Sequence, residues 1–106
     1  MTDTIFQKII NKEINADIIY EDEKSLVFRD INPVAPTHLL IIPKKQIEKI
    51  SDANEEDKDL LGHLFLVAGK VAKDLGIENA FRLVVNNGAG AQQTVFHLHI
   101  HLLADR

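Results

Sequence analysis

No cysteine occurs among the 106 residues, which excludes a disulfide framework, a thiolate zinc site and a cysteine nucleophile. An excess of positive charge is also missing. Twelve Lys and Arg stand against 16 Asp and Glu, a formal net charge of −4, so the chain is not built to hold nucleic acid mainly by electrostatics. A small nucleotide stays within reach, since a pocket binds phosphate locally through oriented donors. Long apolar runs are lacking as well: residues 1–13 are broken by Asp3, Lys8, Lys12 and Glu13, which fits neither a signal peptide nor a membrane span. A cytoplasmic protein is the expectation. Without repeats, low-complexity tracts or linkers, residues 1–106 are expected to form one domain, small enough that a partner subunit would help.

What is present reads as a short helix, five strands and a long helix. Thr4 and Gln7 resemble a capping box ahead of Ile5, Phe6, Ile9 and Ile10, which predicts a helix over residues 5–11. Residues 18–20 and 26–30 read as a hairpin, and 38–43 as a third strand after a proline-bearing turn. The stripe Leu60, Leu61, Leu64, Val67, Ala68, Val71, Ala72 and Leu75 predicts a helix over 55–75, stopped by Gly76. Residues 81–86 and 94–103 complete the strands. Hairpins around one long helix predict an antiparallel sheet and an α+β class.

His97, His99 and His101 alternate with Phe96, Leu98, Ile100 and Leu102, so one strand face carries imidazoles roughly 6 to 7 Å apart and the other hydrocarbon. A single histidine would pass as a hydrogen-bonded core ring. Three on one face accumulate desolvation without packing gain. Zinc ligation is a rival, yet three rings along a straight strand converge poorly on one ion, and no cysteine supplies a fourth ligand. Phosphorus chemistry explains all three: one imidazole attacks while its neighbours donate to phosphoryl oxygens. His99, in the middle, is the candidate nucleophile, with its Nδ1 proton expected to bond a backbone carbonyl, that of His97, and Nε2 left free.

The run His97-Leu98-His99-Ile100-His101-Leu102-Leu103 resembles the signature of the histidine-triad (HIT) superfamily. Thr4-Ile5-Phe6-Gln7-Lys8-Ile9-Ile10, Phe28-Arg29-Asp30-Ile31-Asn32-Pro33, Ala35-Pro36-Thr37-His38 and Ile42-Pro43-Lys44-Lys45 are similar to its nucleotide-binding (Hint) branch. The resemblance implies a HIT-like fold, with a five-stranded antiparallel sheet, one long and one short helix, and sheets joined across a homodimer. It implies a purine nucleoside phosphoramidase that cleaves the P–N bond of adenosine 5′-monophosphoramidate through a nucleotidyl-histidine and releases AMP, with no cofactor, metal, nucleic acid or membrane. On that resemblance His99 is the nucleophile, with His101, His97 and His38 in support. Ile5, Phe6, Ile9, Phe28 and Ile31 wall the base, Asp30 grips the ribose hydroxyls, and Asn86, Gln92, Gln93 and Thr94 join His99 and His101 at the phosphate. His101 is the candidate acid for the leaving amine. A Fhit-like dinucleoside polyphosphate hydrolase and a noncatalytic nucleotide-binding module are the alternatives. The pattern departs at Ala91-Gln92-Gln93, where Gly-Gly-Gln is usual, and at Ala104-Asp105, where Gly-Gly is usual.

Overall fold

The computed structural model describes residues 3–106; Met1 and Thr2, the start of the segment read above as neither signal peptide nor span, lie outside them. Strands β1 (Ile18–Glu21), β2 (Ser25–Arg29), β3 (Thr37–Pro43), β4 (Arg82–Val84) and β5 (Ile100–Ala104) form an antiparallel sheet in the order β1-β2-β3-β5-β4. Alternation along the strands makes two apolar faces. Val27, Leu39, Ile41, Ile100 and Leu102 meet helix α2 (Lys58–Asp74), while Leu26, Phe28, Leu40 and Ile42 meet Phe6 and Ile9 of helix α1 (Ile5–Ile10). Central strand β3 is therefore buried along its whole length. Helix α2 seals its side with Leu64, Val67, Ala68, Val71 and Ala72, the larger of which contribute roughly 1.5–3 kcal/mol each. No helix among the described residues is long and apolar enough to cross a membrane.

The elements differ from their sequence patterns mainly at the ends. Helix α2 starts at Lys58 instead of residue 55, because Asn54 and Asp57 form a capping box around a 3-10 turn, Glu55–Asp57. Leu60, Leu61 and Leu75 are only half-buried, so the covered stripe is narrower than the apolar one. At α1, Thr4 Oγ1 accepts the amide of Gln7 at 3.1 Å, but the Gln7 side chain bonds Asn11 and the box is half made. Strand β4 pairs only over Arg82–Val84.

The largest difference concerns β5, which begins at Ile100, so His97 and His99 precede the strand. Partner strand β3 ends at Pro43, which lacks an amide donor. Beyond that point Leu98 N donates to Ile47 O at 2.7 Å, and the His97 side chain takes over the contact to Pro43. Phe96, expected on the buried side, is 37% exposed.

Candidate active site

Register brings distant histidines together. Leu40 pairs with His101 and His38 with Leu103, so His38 and His101 are diagonal neighbours on the α1 face of the sheet. His38 Nε2 lies 2.9 Å from His101 Nδ1, and the rings of His101 and His99 are 5.1 Å apart. Phe6 stands edge-on to His99 at 5.0 Å and to Phe28 at 5.4 Å, which couples the helix to the His99 ring.

Between α1, the end of β2 and the segment before β5 opens a cleft of about 290 Å³, near the lower end of the range for small-ligand sites. Of the residues singled out in the sequence, Ile5, Phe6, Ile9, Phe28, Asp30, Ile31, Thr94, His99 and His101 line it. Ile31 remains 84% exposed and borders the mouth. His38, His97, Asn86, Gln92 and Gln93 do not line it. His38 touches the cleft through two residues that line it, His101 at 2.9 Å and Asp30 at 3.4 Å. Gln93 is a strut: its Oε1 accepts Gly88 N at 2.7 Å and its Nε2 donates to the carbonyls of Glu48 and Val95 at 2.8 and 2.9 Å. Its side-chain amide is thereby committed to shaping the loop. Gln92 is exposed and left-handed, φ +72°, a conformation that suits the glycine usual in the Hint pattern. Ile14, Asn15, Ala16 and Leu40 also line the cleft; Leu40 follows from its phase with His38, whereas the loop residues 14–16 carry no signal.

Hydrogen bonds assign the protons. His99 Nδ1 is 2.7 Å from His97 O, and a carbonyl only accepts, so Nδ1 carries the proton and Nε2 a lone pair. Val34 N donates to His38 Nδ1 at 3.2 Å. The His38 proton therefore sits on Nε2 and is donated to His101 Nδ1, which leaves the His101 proton on Nε2. Two rings of the same type thus acquire opposite roles, lone pair on His99 and N–H on His101. The expectation that His101 is the acid changes accordingly: giving up its one proton would leave an imidazolate, so it serves as a hydrogen-bond donor. Asp30 Oδ2 stands 3.4 Å from His38 Nε2, and the ligand-type atoms of Asp30, His38 and His101 lie within 4.8 Å of one another. A cation there would need the Nε2 lone pair of His38, and the Val34 amide forces the proton onto that nitrogen.

His97 is fully buried, donates from Nε2 to Pro43 O at 2.7 Å, and its Nδ1 has no partner among the described residues. Burial lowers its pKa below the ordinary value, against the raising effect of the Pro43 bond. Burial likewise lowers His99, opposed by its bond to His97 O and by the charge of Asp30. His101 is lowered by burial and by the neighbouring His99 and His38. Neutral imidazoles are therefore the resting state, as attack by a lone pair requires.

Known proteins carry the same design. The HIT domain family matches residues 11–106. An uncharacterized HIT-like protein of Synechocystis is 60% identical over 104 residues, 98% of this chain and 91% of that protein. A HIT family hydrolase of Legionella pneumophila superposes with a TM-score of 0.95 at 47% identity, covering 98% of this chain and 94% of that one. A histidine triad nucleotide-binding protein of Candida albicans gives 0.86 at 34% identity, over 94% and 73% of the two chains. With its antiparallel sheet, long helix and clustered imidazoles, this chain belongs to the HIT domain family and is similar to that family's hydrolases.

Proposed function

We propose that the protein is a purine nucleoside phosphoramidase in which His99 is the nucleophile and AMP and an amine are the products. The observation that carries this reading is the 2.7 Å bond from His99 Nδ1 to His97 O, which leaves Nε2 with a lone pair in a cleft that also holds Asp30 and Thr94. The Nε2–phosphorus bond forms as the P–N bond breaks, and the amine departs with the P–N electron pair and takes up one proton from solvent water. The imidazolium so formed keeps its Nδ1–H on the His97 carbonyl, which offsets the new charge. Water then attacks phosphorus and gives one proton back to solvent, the Nε2–P bond breaks with its electron pair returning to the ring, and AMP leaves. His101 Nε2–H and the Thr94 hydroxyl donate to the phosphoryl oxygens in both steps. Phe6, Ile9 and Phe28 form an apolar slot suited to a purine, and Asp30, an acceptor-only group, suits the two hydroxyls of a ribose.

Two further parts of the reading concern context. A homodimer is favoured by β4, a three-residue strand at the sheet edge, and by Phe65 and Leu66, 53% and 76% exposed on α2, since open edges and exposed apolar side chains invite pairing. The net charge of −4 fits a cytoplasmic enzyme acting on free nucleotides, not one acting on nucleic acid or at an anionic membrane surface.

Quenched-flow mass spectrometry with adenosine 5′-monophosphoramidate tests the chemistry. An AMP adduct on the peptide carrying His99, absent in His99→Ala together with turnover, is expected. Ordinary turnover by His99→Ala would overturn the assignment.

A further inference from the structure

The Asp30 carboxylate is shared between two duties. Its Oδ1 accepts the Asn32 amide at 2.8 Å, which folds the chain after β2 into a turn, while Oδ2 approaches His38 Nε2 at 3.4 Å. That nitrogen carries a single proton with two acceptors in reach, His101 Nδ1 at 2.9 Å and the carboxylate. The shorter contact has good hydrogen-bond geometry and the longer is marginal. The proton lies on the His101 side, but an anion is the stronger acceptor, so the carboxylate competes for it. Any ligand that donates hydroxyls to Asp30 occupies its lone pairs and weakens that competition.

We propose that Asp30, in addition to contacting a sugar, is a positioning residue that links occupancy of the sugar site to the aim of the His101 N–H through His38. This rests on the reading of the cleft as a nucleotide site. A cis-diol on Asp30 releases the His38 proton to His101 Nδ1, which holds the His101 ring so that Nε2–H meets the phosphoryl group. The sugar then influences the rate of the phosphorus step and not only the affinity. The groups around His101 leave few other routes: His99 comes from the segment before β5, His38 from β3 and Asp30 from the end of β2, while Arg29, on the cleft wall, is paired with Asp17 at 3.3 Å.

The test separates kcat from KM for adenosine 5′-monophosphoramidate and its 2′,3′-dideoxy counterpart, using the full chain and its Asp30→Asn variant. If Asp30 only grips the sugar, Asp30→Asn changes nothing with the dideoxy substrate. The linkage instead predicts that in the variant kcat for the dideoxy substrate rises about fivefold or more, toward the ribose value, while KM rises only with the ribose form. In a His38→Gln background the kcat difference between ribose and dideoxy substrates disappears. Imidazole ¹⁵N NMR gives a readout independent of turnover: AMP shifts the His101 Nε2–H signal in the wild type, and 2′,3′-dideoxy-AMP, bound to saturation, shifts it less. Equal shifts for the two nucleotides, or an unchanged dideoxy kcat in Asp30→Asn, would overturn the linkage and leave the phosphoramidase reading standing. Failure of the wild type to bind either nucleotide or to turn over either substrate overturns both.

Discussion

Mild acid should destabilise this protein through its histidines before its carboxylates protonate. Burial lowers His97 and His99 below the 6.5 of a free imidazole, and the two residues are only 0% and 6% exposed. In the unfolded chain both rings take up a proton as the pH falls through 6.5, whereas in the fold they do so only at lower pH. The unfolded state then binds more protons, so its free energy falls relative to the native state. The stability contributed by these neutral rings is fully present above 6.5 and is lost below it, until the folded rings protonate in turn. Each contributes at most about 1.4 kcal/mol per pH unit, so the pair reaches about 3 kcal/mol per unit. His101 is lowered too, but it is only half-buried and solvent screening discounts it. From pH 7 to 5.5 the loss is at most about 2.5 kcal/mol, set against a typical domain stability of about 5–15 kcal/mol. Urea titrations at pH 7, 6 and 5.5 measure it as a falling midpoint at constant slope. A midpoint that holds steady or rises across that interval would refute the assignment of neutral, buried rings.

Other outcomes follow from the same contacts. Because burial lowers His99, kcat/KM should stay on its plateau down to pH 6.5 and fall only below that; a pH–rate profile that declines already above 7 contradicts a depressed nucleophile. Asp22 accepts bonds from His63, Tyr20, Ser25 and the Lys24 amide. Although burial opposes ionisation, these donors hold its carboxyl well below the usual range. Asp22→Asn should cost about 1–3 kcal/mol by urea unfolding at pH 7, with the difference vanishing once the pH falls low enough to protonate the native carboxyl. Phe6→Ala should cost about 3–5 kcal/mol and raise KM, since Phe6 is packed against both Phe28 and His99. Gln92→Gly should be tolerated within about 1 kcal/mol, because relief of a left-handed side chain offsets the extra entropy of glycine in the unfolded state; thermal denaturation reads this directly.

Local geometry was legible in the chain and long-range geometry was not. The bond from His99 to the His97 carbonyl spans two residues, so spacing alone anticipates it. The bond from His38 to His101 spans 63 residues, and sheet register creates it. Gln93 illustrates the opposite case: a polar side chain beside a phosphate-type loop read as a ligand, yet the fold commits its side-chain amide to the backbone of Gly88, Val95 and the distant Glu48. No pattern in residues 81–103 announces that Pro43 ends β3 and so keeps His97 and His99 outside β5.

Alternation of side chains along the strands determined the two-faced sheet, and the helical period determined which face of α2 is covered, because side chains on a strand or helix have no choice of face once the period is set. The same alternation put three imidazoles in sequence and marked His99 as the one between two others. Only the tertiary structure decided what each ring does. Proton placement on an imidazole depends on the partner of its other nitrogen, and those partners come from Pro43, His97, Val34 and His38, which the folded sheet and its adjoining turns bring within hydrogen-bond distance.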